Sequence, residues 1–176
     1  GRVVISCRQS LLRLFSCVDG VDEVTVGDKA LHADCHAPLM SLPYIFKTQL
    51  HTIPAHVPYI SVKKKCCFSE HTQELKVGLV WAGNPDHARD HRRSLPLKAF
   101  EPAFSIPGVT FFSFQMGTAA EQLSDIETPL LNITDGFDDF YDTACALSGV
   151  DILITVDTSV AHLAGALGIP TWVILD

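Results

Sequence analysis

The feature that most constrains this chain is the regular alternation beginning at residue 76. The runs "KVGLVWAG" (76–83), "GVTFFSFQ" (108–115), "LLNIT" (130–134), "DILITV" (151–156) and "PTWVIL" (170–175) are rich in apolar and β-branched residues. A strand with one wet face alternates apolar and polar residues. "KVGLVWAG" is instead a continuous apolar run of the kind covered on both faces in parallel sheets, and the other four runs read as further strands. Between them lie helical segments: "LKAFEPAF", "TAAEQL", "DDFYDTACALSG" and "TSVAHLAGALG". Asp138 and Asp139 are expected in the first turn of the third, where negative charge suits the helix dipole. Gly149 and Gly168 are expected as stops. Five strands alternating with four helical segments specify an α/β fold with an open parallel sheet and right-handed crossovers.

Residues 1–60 are less regular. "RVVIS" and "DEVTV" are expected strands flanking an amphipathic helix in "QSLLRLFSC", and Pro38 and Pro43 break any longer element that follows. With three strands at best, this stretch is expected to be only part of a second α/β lobe. Residues 61–75 are polar, charged and without periodicity, which suits a connector. The expected organisation is therefore a partial N-terminal lobe (1–60), a linker (61–75) and a C-terminal sheet lobe (76–176). The chain starts on a strand residue and stops one residue past a strand, so it is expected to be a fragment of a longer protein.

Composition narrows the class. With 47% hydrophobic residues and a mean hydropathy of +0.23, a substantial core is affordable and disorder is not expected. The net charge of −7 argues against nucleic acid as a partner, because phosphate backbones need a basic face. The one basic run, "VKKKCC" at 62–67, reads as solvated linker. Cys7, Cys17, Cys35, Cys66, Cys67 and Cys145 form no CxxC pair, and they read as thiols of a reducing compartment. No apolar run approaches the roughly 20 residues of a membrane span. Arg8 and Arg13 interrupt the only N-terminal stretch that resembles a leader. The expected location is cytoplasmic.

In open parallel sheets, ligands bind beyond the carboxyl ends of the strands. That rule selects residues 82–94, 115–118, 134–138 and 156–160. Within "ITVDTSVAHLAGALG" a strand runs directly into a helix. The first turn of that helix presents unpaired N–H groups and partial positive charge, a receptor for phosphate. Thr158 and Ser159 can donate to phosphate oxygens. Asp157 would repel phosphate at contact, so a sugar hydroxyl is its better partner, and His162 lies one turn further in. The competing reading is structural: Asp157 or Thr158 caps the helix and His162 packs.

The loop "GNPDHARDHRRS" (83–94) opens with a turn at Asn84 and Pro85. Arg92 or Arg93 can hold a diphosphate bidentately, against the alternative of an exposed charged loop. His87 and His91 are four apart between Asp86 and Asp90, yet no helical periodicity precedes Leu95, so no metal site is expected. Gln115 ends its strand at the same edge, where it can read a base or sugar. No GxGxxG, GxxxxGK[ST] or GxSxG motif occurs.

"KVGLVWAGNPDHARDHRRSLPLKAF", "VTFFSFQMG" and "DILITVDTSVAHLAGALGIPTWVIL" resemble the C-terminal half of a glycosyltransferase-like domain. That domain ends bacterial tetratricopeptide-repeat proteins and is similar to the heptosyltransferases of glycosyltransferase family 9. "ADCHAPLMSLPYIF" and "HTIPAHVPYI" resemble the end of the same proteins' N-terminal lobe. The resemblance implies a GT-B fold, here a Rossmann-like C-terminal lobe that holds a nucleotide-diphosphate sugar. It places Asp157 against donor sugar hydroxyls, and Thr158 and Ser159 at the diphosphate. His162 matches the histidine that follows, Arg93 and Ser94 the basic-polar pair, and Asn84 and Gln115 cleft-facing strand ends.

The family's glycine-rich opening with its acidic candidate base has no counterpart in this sequence, and the repeats and the returning tail are absent as well. The implied activity is transfer of a sugar to an acceptor hydroxyl by the intact parent, without a cofactor or obligatory metal. A non-catalytic nucleotide-sugar-binding or scaffold module of a repeat protein is the alternative.

Overall fold

The computed structural model describes residues 1–27, 33–63, 68, 74–127 and 129–175. Among them the chain is α/β, built on a five-stranded, wholly parallel, Rossmann-like sheet flanked by helices. The elements run β1 (Val4–Cys7), α1 (Leu12–Phe15), β2 (Glu23–Val26), α2 (Leu42–Ile45), β3 (Leu75–Val80), α3 (Asp90–Arg93) and α4 (Glu101–Phe104). They continue with β4 (Val109–Ser113), β5 (Leu131–Asn132), α5 (Phe140–Leu147), β6 (Ile152–Val156), α6 (Ser159–Ala166) and β7 (Thr171–Ile174). The sheet order is β5-β4-β3-β6-β7. β3 is central; the chain winds outward to β5, then crosses back through α5 to place β6 on β3's other side. The winding direction therefore reverses between β3 and β6.

Both faces of the central strands β3, β4 and β6 are covered, which explains their continuous apolar runs, whereas the edge strands β5 and β7 leave Leu131, Trp172 and Val173 exposed. Val77, Leu79 and Trp81 on alternate positions of the β3 run pack with Phe111, Leu97, Phe104 and Leu130. Val80, Phe112, Phe114 and Leu153 pack on the opposite face against Ala144 and Leu147 of α5 and Leu163, Ala164 and Ala166 of α6. Each large side chain buried in these layers contributes about 1.5–3 kcal/mol. Gly78 is a packing requirement: a Cβ there would stand 2.9 Å from Phe114 Cε2 and 3.1 Å from Leu153 Cδ1. Gly168 ends α6 with φ +73°, the left-handed conformation expected at that stop.

The N-terminal segment forms a second, two-stranded parallel sheet, β1 beside β2, with a 3-10 turn (Gln9–Leu11) and α1 between them. It docks on the larger unit: Leu14 and Ile60 are buried in the α5/α6 layer. The amides of Tyr59 and Ile60 both donate to the Ala166 carbonyl (3.0 and 3.2 Å). Between these anchors α2 and its neighbours stay on the surface, with Met40, Tyr44 and Leu50 almost fully exposed. Most of the expected connector lies outside the described residues, as do Cys66 and Cys67.

Three local expectations are corrected. Residues 90–93, read as loop, make one helical turn, because Asp90 accepts the Ser94 amide and ties its side chain to Arg93 and Ser94. Asp139 is the N-cap of α5 rather than a first-turn residue, and Asp138 precedes it. "TAAEQL" forms a 3-10 helix over Thr118–Asp125.

Candidate functional site

A cavity of about 470 Å³ opens at the carboxyl ends of the strands, within the roughly 300–1,000 Å³ range of small-molecule sites. Its walls come from the segment after β3 (82–85), the segment after β4 (114–119), the start of α5 (138–140) and the start of α6 (158–160). This is the edge where the winding reverses, where open α/β sheets place their ligands. Val80, Phe114 and Phe140 supply apolar surface, and Ser10 from the N-terminal unit joins the lining. A second depression of about 410 Å³ shares Gly83, Pro85, Thr118 and Ala119 with it and is bounded by Asp90, Ser94 and Gln122.

Two helices begin at this cavity in different states. At α5, the Asp139 carboxylate accepts the amides of Tyr141 (2.8 Å) and Asp142 (3.3 Å), so that helix start is already satisfied. At α6, Thr158 occupies the N-cap position in extended backbone, but no side chain caps the helix. The Thr158 hydroxyl instead faces Thr155 Oγ1 at 3.2 Å. The amides of Ser159 and Val160 have no acceptor among the described residues, and both residues line the cavity. The start of α6 thus presents free donors and the positive end of the helix dipole to the cavity. The purely capping reading of Asp157 or Thr158 is not what forms.

The loop between β3 and α3 is knitted together by charge. Arg93 donates from Nε to Asp90 Oδ1 (3.0 Å) and from Nη1 to the Asp157 carbonyl (2.9 Å). Ser94 Oγ donates to Asp90 Oδ2 (2.8 Å) and accepts the Gly83 amide (2.9 Å). Gly83 is closely packed here, since a Cβ would stand 2.5 Å from both Arg93 Nη2 and Asp90 Oδ1 and would force those side chains to shift. Asn84 closes its turn by accepting the Asp86 amide (3.1 Å). His87 Nδ1 accepts the Arg89 amide at 3.3 Å.

Of the eight residues singled out from sequence, Asn84, Arg93, Gln115, Thr158 and Ser159 line this cavity. Ser94 lines the adjoining depression, held by Asp90. Asp157 and His162 are exposed and lie outside the lining of both; Asp157 contributes its carbonyl to Arg93.

Gln115 is corrected in role. It is buried, and its Oε1 accepts the Trp81 (3.1 Å) and Ala82 (2.9 Å) amides. Its Nε2 donates to the Ala82 (3.1 Å) and Met116 (3.0 Å) carbonyls. All four hydrogen-bonding positions of the amide are used on backbone, so Gln115 joins the exits of β3 and β4 and has none left to read a ligand.

Several lining residues were not singled out from sequence: Ser10, Thr118, Asp138 and Thr143. Asp138 is exposed, and its carboxylate has no partner among the described residues. The acid in the cavity wall is thus supplied by the approach to α5 rather than by Asp157. Only the strand-end rule, applied to 134–138, pointed there.

Over 105 residues the chain is 30% identical to Protein FlbA of Caulobacter vibrioides; the match covers 56% of this chain and 18% of that protein. The chain therefore spans less than a fifth of that relative's length. No family model matches the sequence, and no solved structure matches it. Among the described residues, no helix is long and apolar enough to cross a membrane.

Proposed function

We propose that this chain is the nucleotide-sugar-binding lobe of a cytoplasmic GT-B glycosyltransferase-like protein, similar to glycosyltransferase family 9. In the intact parent it would serve transfer of a sugar from a nucleotide-diphosphate donor to an acceptor hydroxyl. The observation that carries this reading is the uncapped start of α6 inside a cavity at the sheet's switch point. Free amides of Ser159 and Val160, with the hydroxyls of Thr158 and Ser159, match the oxygens of a diphosphate. Arg93 Nη2, unused by Asp90 or the Asp157 carbonyl, adds positive charge beside it. In transfer, these groups would stabilise charge developing on the departing diphosphate. Apolar wall from Val80 and Phe114 suits a base or ring face, and Asp138 suits a hydroxyl.

A second reading, a non-catalytic nucleotide-sugar-binding or scaffold module, is favoured by one observation. Of the two cavity carboxylates, Asp139 is consumed as a helix cap and ion-pair partner and Asp138 is exposed to solvent, so neither is a sequestered acid or base placed for proton transfer.

The test is calorimetry of the chain with UDP- and ADP-sugars, alongside Ser159→Asp. A carboxylate at the start of α6 favours the dipole and leaves the helix as stable or about 0.3–1 kcal/mol more stable. The same carboxylate occupies the anion site, so nucleotide-sugar binding is expected to be lost. Binding that survives Ser159→Asp, or no binding by the unsubstituted chain at millimolar ligand, refutes the reading. Donor hydrolysis or transfer by the full-length parent separates enzyme from module.

A further inference from the structure

The N-terminal unit does more than cover core. Arg13 on α1 reaches across to the start of α5, with Nη1 and Nη2 donating to the two oxygens of Asp142 (3.0 and 3.1 Å). Nη1 also lies 3.2 Å from Asp139 Oδ1, and the guanidinium stands 4.6 Å over the Tyr141 ring. The two carboxylates it touches build the end of α5. Asp139 accepts the amides of Tyr141 and Asp142, and Asp142 returns to accept the Asp138 amide at 3.1 Å. Two acids within one turn repel each other; a planar guanidinium that meets both offsets that repulsion and fixes their spacing. The residues so held, Asp138, Asp139, Phe140 and Thr143, are one wall of the cavity, and Ser10 from the turn before α1 faces the same space.

We infer that Arg13 is a positioning residue: by clamping the Asp139–Asp142 cap, it makes the N-terminal unit a structural part of the cavity's α5 wall. This rests on the cavity being the ligand site proposed above. The consequence is that a ligand ordering this wall tightens the docking of the N-terminal unit, and that loosening the unit loosens the wall.

The experiment is amide exchange and methyl NMR on the full chain with Arg13→Met, which keeps the stem and removes the fork. The pair is partly exposed, so the expected change is about two- to fivefold faster exchange of the Tyr141 and Asp142 amides. The Thr143 and Val160 methyl signals, both from the cavity lining, are expected to shift. The amides of Val77, Phe112 and Leu153 in the sheet should be unchanged. Arg13→Lys should restore only part of the effect, because an ammonium cannot hold both oxygens in one plane.

Unaltered exchange at Tyr141 and Asp142 overturns the inference. So does a uniform rise that includes the sheet, which would mark Arg13 as merely structural. If Arg13→Met does not fold, Asp142→Asn, which retains Asp139 as cap, is expected to give the same local change at smaller amplitude. A chain that binds no UDP- or ADP-sugar would sink the proposed function, while the exchange result would still decide the role of Arg13.

Discussion

Gly83→Ala tests how tightly the loop after β3 is built. The backbone of Gly83 needs no left-handed conformation, so the cost arises from contact alone. An alanine Cβ would lie 2.5 Å from Arg93 Nη2, 2.5 Å from Asp90 Oδ1 and 2.6 Å from Arg93 Nε, far inside van der Waals distance. The crowding atoms are the ends of side chains and can move, but only by giving up their bonds. At stake are Arg93–Asp90 (3.0 Å), Arg93 to the Asp157 carbonyl (2.9 Å) and Ser94–Asp90 (2.8 Å).

Hydrogen bonds to charged groups are each worth about 1.5–3 kcal/mol. The Arg93 side chain is 23% exposed, so water replaces part of what is lost. Removing a glycine also stiffens the unfolded chain, which returns about 0.4–1 kcal/mol. The expected net destabilisation is about 1–2 kcal/mol, or about 2–4 °C in Tm per kcal/mol for a chain of this size. Urea denaturation with an unchanged slope measures it. In the Arg93→Ala background two of the three crowding atoms are gone and Asp90 loses its Arg93 partner, so Gly83→Ala should then cost clearly less than in the parent. A single variant as stable as the parent, or strict additivity of the two, would refute the reasoning.

Gln115→Ala leaves the Trp81 and Ala82 amides without their acceptor in a buried setting, and it is expected to cost about 2–4 kcal/mol in thermal or urea unfolding. An effect confined to ligand binding would return Gln115 to a reading role. Burial alone would raise the Asp142 carboxyl, but the Arg13 hydrogen bond, the Asp138 amide and the Arg13 charge together hold it below its usual value. Its contribution is therefore complete above the ordinary aspartate pKa of about 4 and is lost as pH falls through the lowered value. The acid limb of a stability–pH curve should flatten in Arg13→Met, and an unchanged limb would contradict the pairing.

Much of the fold was legible from residue 76 onward because the central strands β3, β4 and β6 are buried on both faces. "KVGLVWAG" and "DILITV" carry apolar residues at consecutive positions, a pattern a half-exposed strand cannot have. The cavity's location was legible too, since it follows from where parallel strands end. What was not legible depended on partners distant in sequence. Gln115 looks like a polar strand end until Trp81 and Ala82 are seen to supply backbone amides 34 and 33 residues away. The helical turn at 90–93 has no hydrophobic period because it is held by Asp90, Arg93 and Ser94 rather than by burial. Ser10 and Arg13 reach the site only through docking of the N-terminal unit, and no local pattern announces that contact.

The central claim is that the start of α6 holds the diphosphate of a nucleotide sugar. Its most direct measurement is a backbone-amide NMR titration of the full chain with UDP- and ADP-sugars. The account predicts saturable shifts largest at the Ser159 and Val160 amides, extending to 83–85 and 116–119, with free sugar producing none. Saturable shifts confined to residues away from these segments, or none at millimolar ligand, would contradict it.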